Sequence, residues 1–223
     1  MAFVQSFRFS SLLLVITYLI INIGVEASDP DFVQDICVAN MNSTITLNGY
    51  ACKTVAESSA EDFWSPLLGK PGNITSSLGS LVTLANVEKY PGLNTFGLSL
   101  ARIDFVEGGV NPPHIHPRAS EIVYLARGSV YVGFVTTGNK LFAKTINEGE
   151  MFLFPKGLIH FQMNVGKGDA VILAALSSQN PGTSQVARAS FASSPSIETS
   201  LLAKAFQLKD DEVAHLKDLI AKT

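Results

Sequence analysis

The sequence predicts an all-β domain, a sandwich or barrel of short strands, with α-helices appended at its C-terminus. Three observations predict it. From about residue 81 to residue 191 the chain is a series of short β-type runs cut by Gly, Pro and Asn, the pattern of sandwiches and barrels. The breakers fall too close together for βαβ crossovers, which need about a dozen residues or more. From Ile197 onward Gly and Pro are absent, and apolar residues recur at helical spacing.

Composition sets the frame. The 223 residues are 47% apolar and 16% charged, enough chain to bury a sizeable core and too apolar for disorder. A net charge of −3 with no basic stripe argues against a nucleic-acid partner. Four segments are expected: 1–27, 28–80, 81–192 and 193–223.

Segment 1–27 reads as a secretory signal peptide. Arg8 precedes an apolar run from Leu12 to Ile23, and Val25-Glu26-Ala27 offers small residues where a signal peptidase reads. A membrane anchor is the rival reading, but a spanning helix needs about 20 apolar residues. No other segment is long and apolar enough to span. Segment 28–80 is expected to be a loop-rich N-terminal extension. Its Cys37 and Cys52 lie 15 positions apart and would bridge in an oxidising compartment, two buried free thiols being the other reading. Asn42-Ser43-Thr44 and Asn73-Ile74-Thr75 are N-glycosylation sequons.

In the 81–192 segment, strands are expected over Thr95–Phe105, Glu121–Leu125, Ser129–Thr136, Leu141–Ile146, Met151–Phe154, His160–Val165 and Ala170–Ser177. The last of these is so apolar that it reads as buried on both faces. In the C-terminal segment, Ile197–Phe206 and Asp210–Ala221 read as amphipathic helices. The second carries Val213, Leu216, Leu219 and Ile220 on one stripe and Asp210-Asp211-Glu212 at its N-terminus, where acids suit the helix dipole.

The chemistry-bearing residues are histidines. His114 and His116 are two apart, so an extended backbone turns both imidazoles to one face. Glu121 lies five residues after His116, which strict alternation would place on the opposite face; Pro117 implies a kink or bulge there. His160 follows a Pro-Lys-Gly turn 39 residues after Glu121. Three imidazoles and a carboxylate make an N/O set suited to a divalent first-row metal. A lone His-x-His is often only a packed pair; the added Glu and distant His favour a metal. Gln162 and Asn164 share strand parity with His160, and Asn111 precedes the first histidines; each reads equally as a hydrogen-bonding neighbour of the metal or as a core or turn residue. His215 reads as a solvated or interface residue, and Lys167-Gly168-Asp169 as a hairpin turn.

Gly108-x5-His-x-His-x4-Glu-x6-Gly128 and Gly149-x5-Pro-x-Gly-x2-His-x3-Asn164 match both motifs of the cupin superfamily. Val33–Asn40, Asn111–Ile122 and Phe152–Gln162 resemble the three sequence boxes of plant germins and germin-like proteins. The resemblance covers essentially the chain after the signal segment. It implies a single jelly-roll β-barrel, a Cys37–Cys52 bridge, and manganese held by His114, His116, Glu121 and His160. It further implies a secreted, apoplastic or cell-wall glycoprotein, assembled as a homohexamer (a trimer of dimers) whose C-terminal helices clasp neighbouring subunits.

Two activities follow from the resemblance: superoxide dismutation yielding hydrogen peroxide, and oxalate oxidation. Oxalate-oxidising germins carry an Asn at the strand position matching Ala101. Ala101 has no donor, so superoxide is the expected substrate and oxalate oxidase activity is expected to be absent. A secreted binding or structural glycoprotein with a stabilising metal is the reading from another class.

Overall fold

The computed structural model describes residues 34–45 and 49–222; the expected signal peptide of residues 1–27 lies outside the described residues. The strands are β1 (Ser80–Ala85), β2 (Ser99–Phe105), β3 (Val110–Ile115), β4 (Glu121–Arg127), β5 (Ser129–Val135), β6 (Leu141–Asn147), β7 (Met151–Phe154), β8 (Ile159–Asn164), β9 (Ala170–Leu176) and β10 (Ser184–Gln185). They form two five-stranded sheets, ordered β1-β2-β9-β4-β7 and β10-β3-β8-β5-β6, with every named pair antiparallel. Three helices follow: α1 (Val186–Phe191), α2 (Thr199–Phe206) and α3 (Asp210–Ala221).

Register sorts the interior into levels. In the first sheet, Ser99, Leu176 and Glu121 lie side by side, then Ala101, Ala174 and Val123, then Ile103, Ile172 and Leu125. In the second, His114 opposes His160, then Asn111 opposes Gln162, which opposes Val132; deeper still, Val130 pairs Ile146. All of these are buried. The interior thus runs from polar at one end to aliphatic at the other. Each fully buried Leu, Ile or Val at the aliphatic end stabilises the fold by about 1.5–3 kcal/mol.

Strand β9 departs from the expectation of two buried faces. From Ile172 onward it alternates, and Leu173 is 41% exposed. Leu100, Ile122, Tyr124, Met151 and Leu153 are likewise exposed, on β2, β4 and β7 of the same sheet. The apolar run therefore reflects an apolar outer face, not a covered one. Helix α1 lies in a stretch read as β-type. Ala187-Arg188-Ala189 favours helix, and the stretch has no clean two-residue alternation.

The N-terminal extension is anchored by polar contacts. Cys37 and Cys52 are disulfide-bonded. Buried Asn94 donates to the Tyr50 carbonyl at 2.9 Å and to Cys37 Sγ at 3.2 Å. Asp104 on β2 accepts from Arg102 and from the Gly72 amide, and Arg102 also reaches the Leu68 carbonyl. At the β4–β5 turn Gly128 has φ +99°, and a Cβ there would stand 2.7 Å from that of Ala170, so both backbone strain and space favour glycine.

Candidate metal centre

Three elements and one loop bring the site together. β3 carries His114 and ends at Ile115, so His116 already belongs to the connection into the opposite sheet. Glu121 is the first residue of β4. This answers the parity question: Glu121 does not continue the histidine strand but starts a strand facing it. β8 brings His160 directly opposite His114, their ring centroids 4.1 Å apart. The Pro112-Pro113 step lies where the β3–β8 register shifts, between Asn111 and His114.

His114, His116, Glu121 and His160 are all buried, and each offers one ligand atom within 4.8 Å of the others. Glu121 Oε2 lies 3.0 Å from His116 Nε2 and 3.2 Å from His160 Nε2. Each imidazole is held from behind. Nδ1 of His114 contacts the Pro112 carbonyl at 2.8 Å, Nδ1 of His116 the Gly182 carbonyl at 2.5 Å, and Nδ1 of His160 the Leu158 carbonyl at 2.8 Å. A carbonyl can only accept, so each Nδ1 carries the hydrogen and each neutral ring turns a bare Nε2 lone pair inward. With every ring neutral, three lone pairs and a carboxylate converge; a proton gained at Nε2 of His116 or His160 makes that ring an imidazolium that donates to Glu121. That donor set fits a cation, and backbone contacts that fix the tautomer are the usual outer support of metal-ligating histidines.

Electrostatics agree. Burial, reinforced by the neighbouring His160, lowers the His114 pKa to about 4. Burial would raise Glu121, but hydrogen bonds from His116 and His160 outweigh it and bring Glu121 down to about 2. Burial also opposes charging His116, yet the hydrogen bond and charge of Glu121 win and raise its pKa. Glu121 is thus an anion at any physiological pH.

The surroundings divide into polar and apolar. Asn111 Nδ2 donates to Gln162 Oε1 at 2.7 Å, which leaves the Gln162 Nε2 group without a protein hydrogen-bond partner in a wholly buried side chain. Ala101 is buried among apolar residues. Asn164 takes a different role: its side chain bonds Val106, Gly166 and Gly168 and shapes the turn into β9. That turn holds Lys167-Gly168-Asp169, with Gly168 at φ +76° and its amide on Glu107. His215 is exposed on α3 and outside the cluster. Sequence reasoning missed Phe154, which pairs with Glu121 across β4–β7 and stacks on His160 with centroids 4.6 Å apart. It also missed Gly182, 66 residues from the His116 it orients, because a backbone carbonyl leaves no side-chain signal.

Comparison with known proteins places this geometry among relatives. The Cupin family model matches residues 67–214. Germin-like protein subfamily 2 member 2 of Arabidopsis thaliana is 50% identical over 198 residues, covering 89% of this chain and 90% of its own. Germin-like protein 5-1 of Oryza sativa subsp. japonica is 49% identical over 195 residues, 87% of each chain. A recombinant oxalate oxidase solved in complex with glycolate superposes with a TM-score of 0.85 at 43% identity, over 87% of this chain and 99% of that one.

Proposed function

The chain belongs to the germin-like proteins of the cupin family, and from that premise we propose that it is a secreted manganese protein that dismutates superoxide. The observation that carries the proposal is the convergence of three bare Nε2 lone pairs on Glu121, each ring locked by a backbone carbonyl. His114, His116, Glu121 and His160 would hold the ion; manganese itself is the family's implication. Bound there, it would supply a one-electron couple, the chemistry by which two superoxide anions and two protons become O₂ and hydrogen peroxide. The chain's own part is to keep Glu121 ionised, exclude bulk water and present the Gln162 Nε2 donor, oriented by Asn111, to a small oxygen ligand.

Apoplastic secretion is supported by the apolar run Leu12–Ile23 and by the disulfide. Asn42 and Asn73 are exposed, as glycosylation requires. A hexameric assembly, as a trimer of dimers, is supported by the exposed apolar outer face of the β1-β2-β9-β4-β7 sheet and by Leu201, Phe206 and Leu219 on the helices.

Oxalate oxidation is the second reading, favoured by the likeness to the glycolate-bound oxalate oxidase. Oxalate is a dianion that needs donors beside the metal, and Ala101 lines the barrel with a methyl group. The test is metal analysis of the secreted, glycosylated protein, followed by superoxide and oxalate assays. About one manganese per chain with dismutation and no oxalate-dependent peroxide is expected. Manganese without dismutation leaves a binding protein, and oxalate-dependent peroxide overturns the choice of substrate. If Ala101→Asn gains no oxalate turnover, the argument from Ala101 falls.

A further inference from the structure

Three chain segments meet around His116, and hydrogen bonds stitch them together. The Gly157 amide donates to the His116 carbonyl at 3.1 Å, and the Lys156 amide to Ser120 Oγ at 3.2 Å. The Ser177 amide donates to the Ser120 carbonyl, and the Arg118 amide to the Pro181 carbonyl. The segments are thus 116–120, 155–158 and 177–183. Of the four cluster residues, His116 is the most exposed, at 8% against 2–3% for the others. The cluster is therefore least covered on this side.

These three segments contain Arg118 and Lys156 and not one Asp or Glu. Both cations are exposed. Arg118 is held: Nε donates to the Asn180 carbonyl at 2.6 Å, and the guanidinium lies against Gly182, where an added Cβ would sit 2.8 Å from Nη2. Gly182 is the residue whose carbonyl orients His116. The two Nη groups have no acceptor among the described residues, and neither has the Lys156 ammonium. Cations at the surface normally find a carboxylate neighbour or sit among mixed charges. Here two unpaired cations flank the least buried metal ligand of a protein whose net charge is −3.

We propose that Arg118 and Lys156 form a cationic rim that draws small anions to the centre. The inference rests on the metal reading above and deepens it by naming the ligand class: a small monoanion such as superoxide, steered by charge. A local positive field in an otherwise acidic protein raises the anion concentration at the mouth and speeds encounter, an effect that fades with salt. Arg118 has a second part as a positioning residue, since its contact with Gly182 bears on the carbonyl that holds His116. Lys156 has no such structural tie, so it isolates the charge effect.

The experiment uses the manganese-loaded protein and azide as a monoanionic probe, titrated calorimetrically at low and at physiological salt, with metal content measured on each sample. Lys156→Gln and Lys156→Glu are compared with Arg118→Gln/Lys156→Gln. At low salt azide affinity is expected to fall about threefold to tenfold across this series, and the differences to shrink as salt rises. The superoxide rate constant of the double variant should lose the salt dependence of the parent. Unchanged azide affinity in Lys156→Glu and in the double variant, with manganese retained, overturns the rim while leaving the metal centre intact. Conversely, azide binding that follows the charge series in a protein without dismutase activity upholds the rim and defeats the proposed reaction.

Discussion

At one end of the barrel interior, His114, Glu121 and His160 face one another beside Asn111 and Gln162; four residues deeper along β2, β4, β5, β6 and β9, Ile103, Leu125, Val130, Ile146 and Ile172 fill the same space. The two ends share their strands, so the difference lies chiefly in side chains. The aliphatic end stabilises itself, because every buried methylene leaves water. The polar end does not: a buried carboxylate and three desolvated imidazoles cost free energy unless something positive lies among them. One end therefore makes the fold and the other is completed by what it binds. This division predicts that damage at each end will read out in a different experiment.

The largest effect is expected from His114→Ala. It removes a ligand and leaves its opposite number, His160, without the pair. Metal affinity should fall by more than the roughly 10–100-fold typical of losing an outer partner of a ligand, with activity lost as well. The metal-free barrel should keep its circular dichroism spectrum. Unfolding of this variant would erase the distinction between the two ends.

Next in size is Leu125→Ala at the aliphatic end. A fully buried leucine replaced this way costs about 2–5 kcal/mol, read as a lower denaturation midpoint with unchanged slope. Metal stoichiometry should stay that of the parent. A Leu125→Ala protein that folds but loads no metal would show that the ends are coupled through β4, the strand that carries both Glu121 and Leu125.

Smaller again is Gln162→Leu. It deletes the unpaired Nε2 donor but also leaves the Asn111 amide without its acceptor. Manganese content should be unchanged while dismutation falls about 10–100-fold. Loss of the metal instead would give Gln162 a purely structural role.

How much of this was legible in the sequence follows from the same division. The aliphatic end announced itself through alternation, as in Ser129–Val135, where Val130 and Val132 are buried and Tyr131 is turned away from the core. The cluster of His114, His116, Glu121 and His160 was legible because its members sit in two short motifs. The faces were harder to read. Ala170–Leu176 looks doubly buried because both of its faces are apolar, and only the tertiary arrangement shows that Leu173 is exposed. The supports of the site were the least legible. His116 depends on the carbonyl of Gly182 and His160 on stacking with Phe154. The first partner has no side chain, and the second reads as one more core aromatic.

The smallest effect is a pH dependence of the polar end alone. In the metal-free protein His116, raised above its ordinary 6.5 chiefly by Glu121 against the pull of burial, pairs with that carboxylate. A raised histidine contributes stability that is complete below 6.5 and is lost as pH climbs through its folded value. Glu121, brought down to about 2 from 4.5, contributes above 4.5 and is lost only as pH falls toward 2. The metal-free pair is therefore most favourable between these limits. A bound cation needs His116 deprotonated, so proton and metal compete there. His114, lowered to about 4, adds no such competition above pH 5. The gap in melting temperature between manganese-loaded and metal-free protein should widen from pH 5.5 to pH 8, by roughly the few degrees that 1 kcal/mol represents in a domain of this size. Glu121→Gln removes the partner that raises His116, so the metal-free variant should lose the fall in melting temperature that the metal-free parent shows as pH rises through this range. A gap that stays constant across this range would mean that His116 is not where the proton and the metal meet.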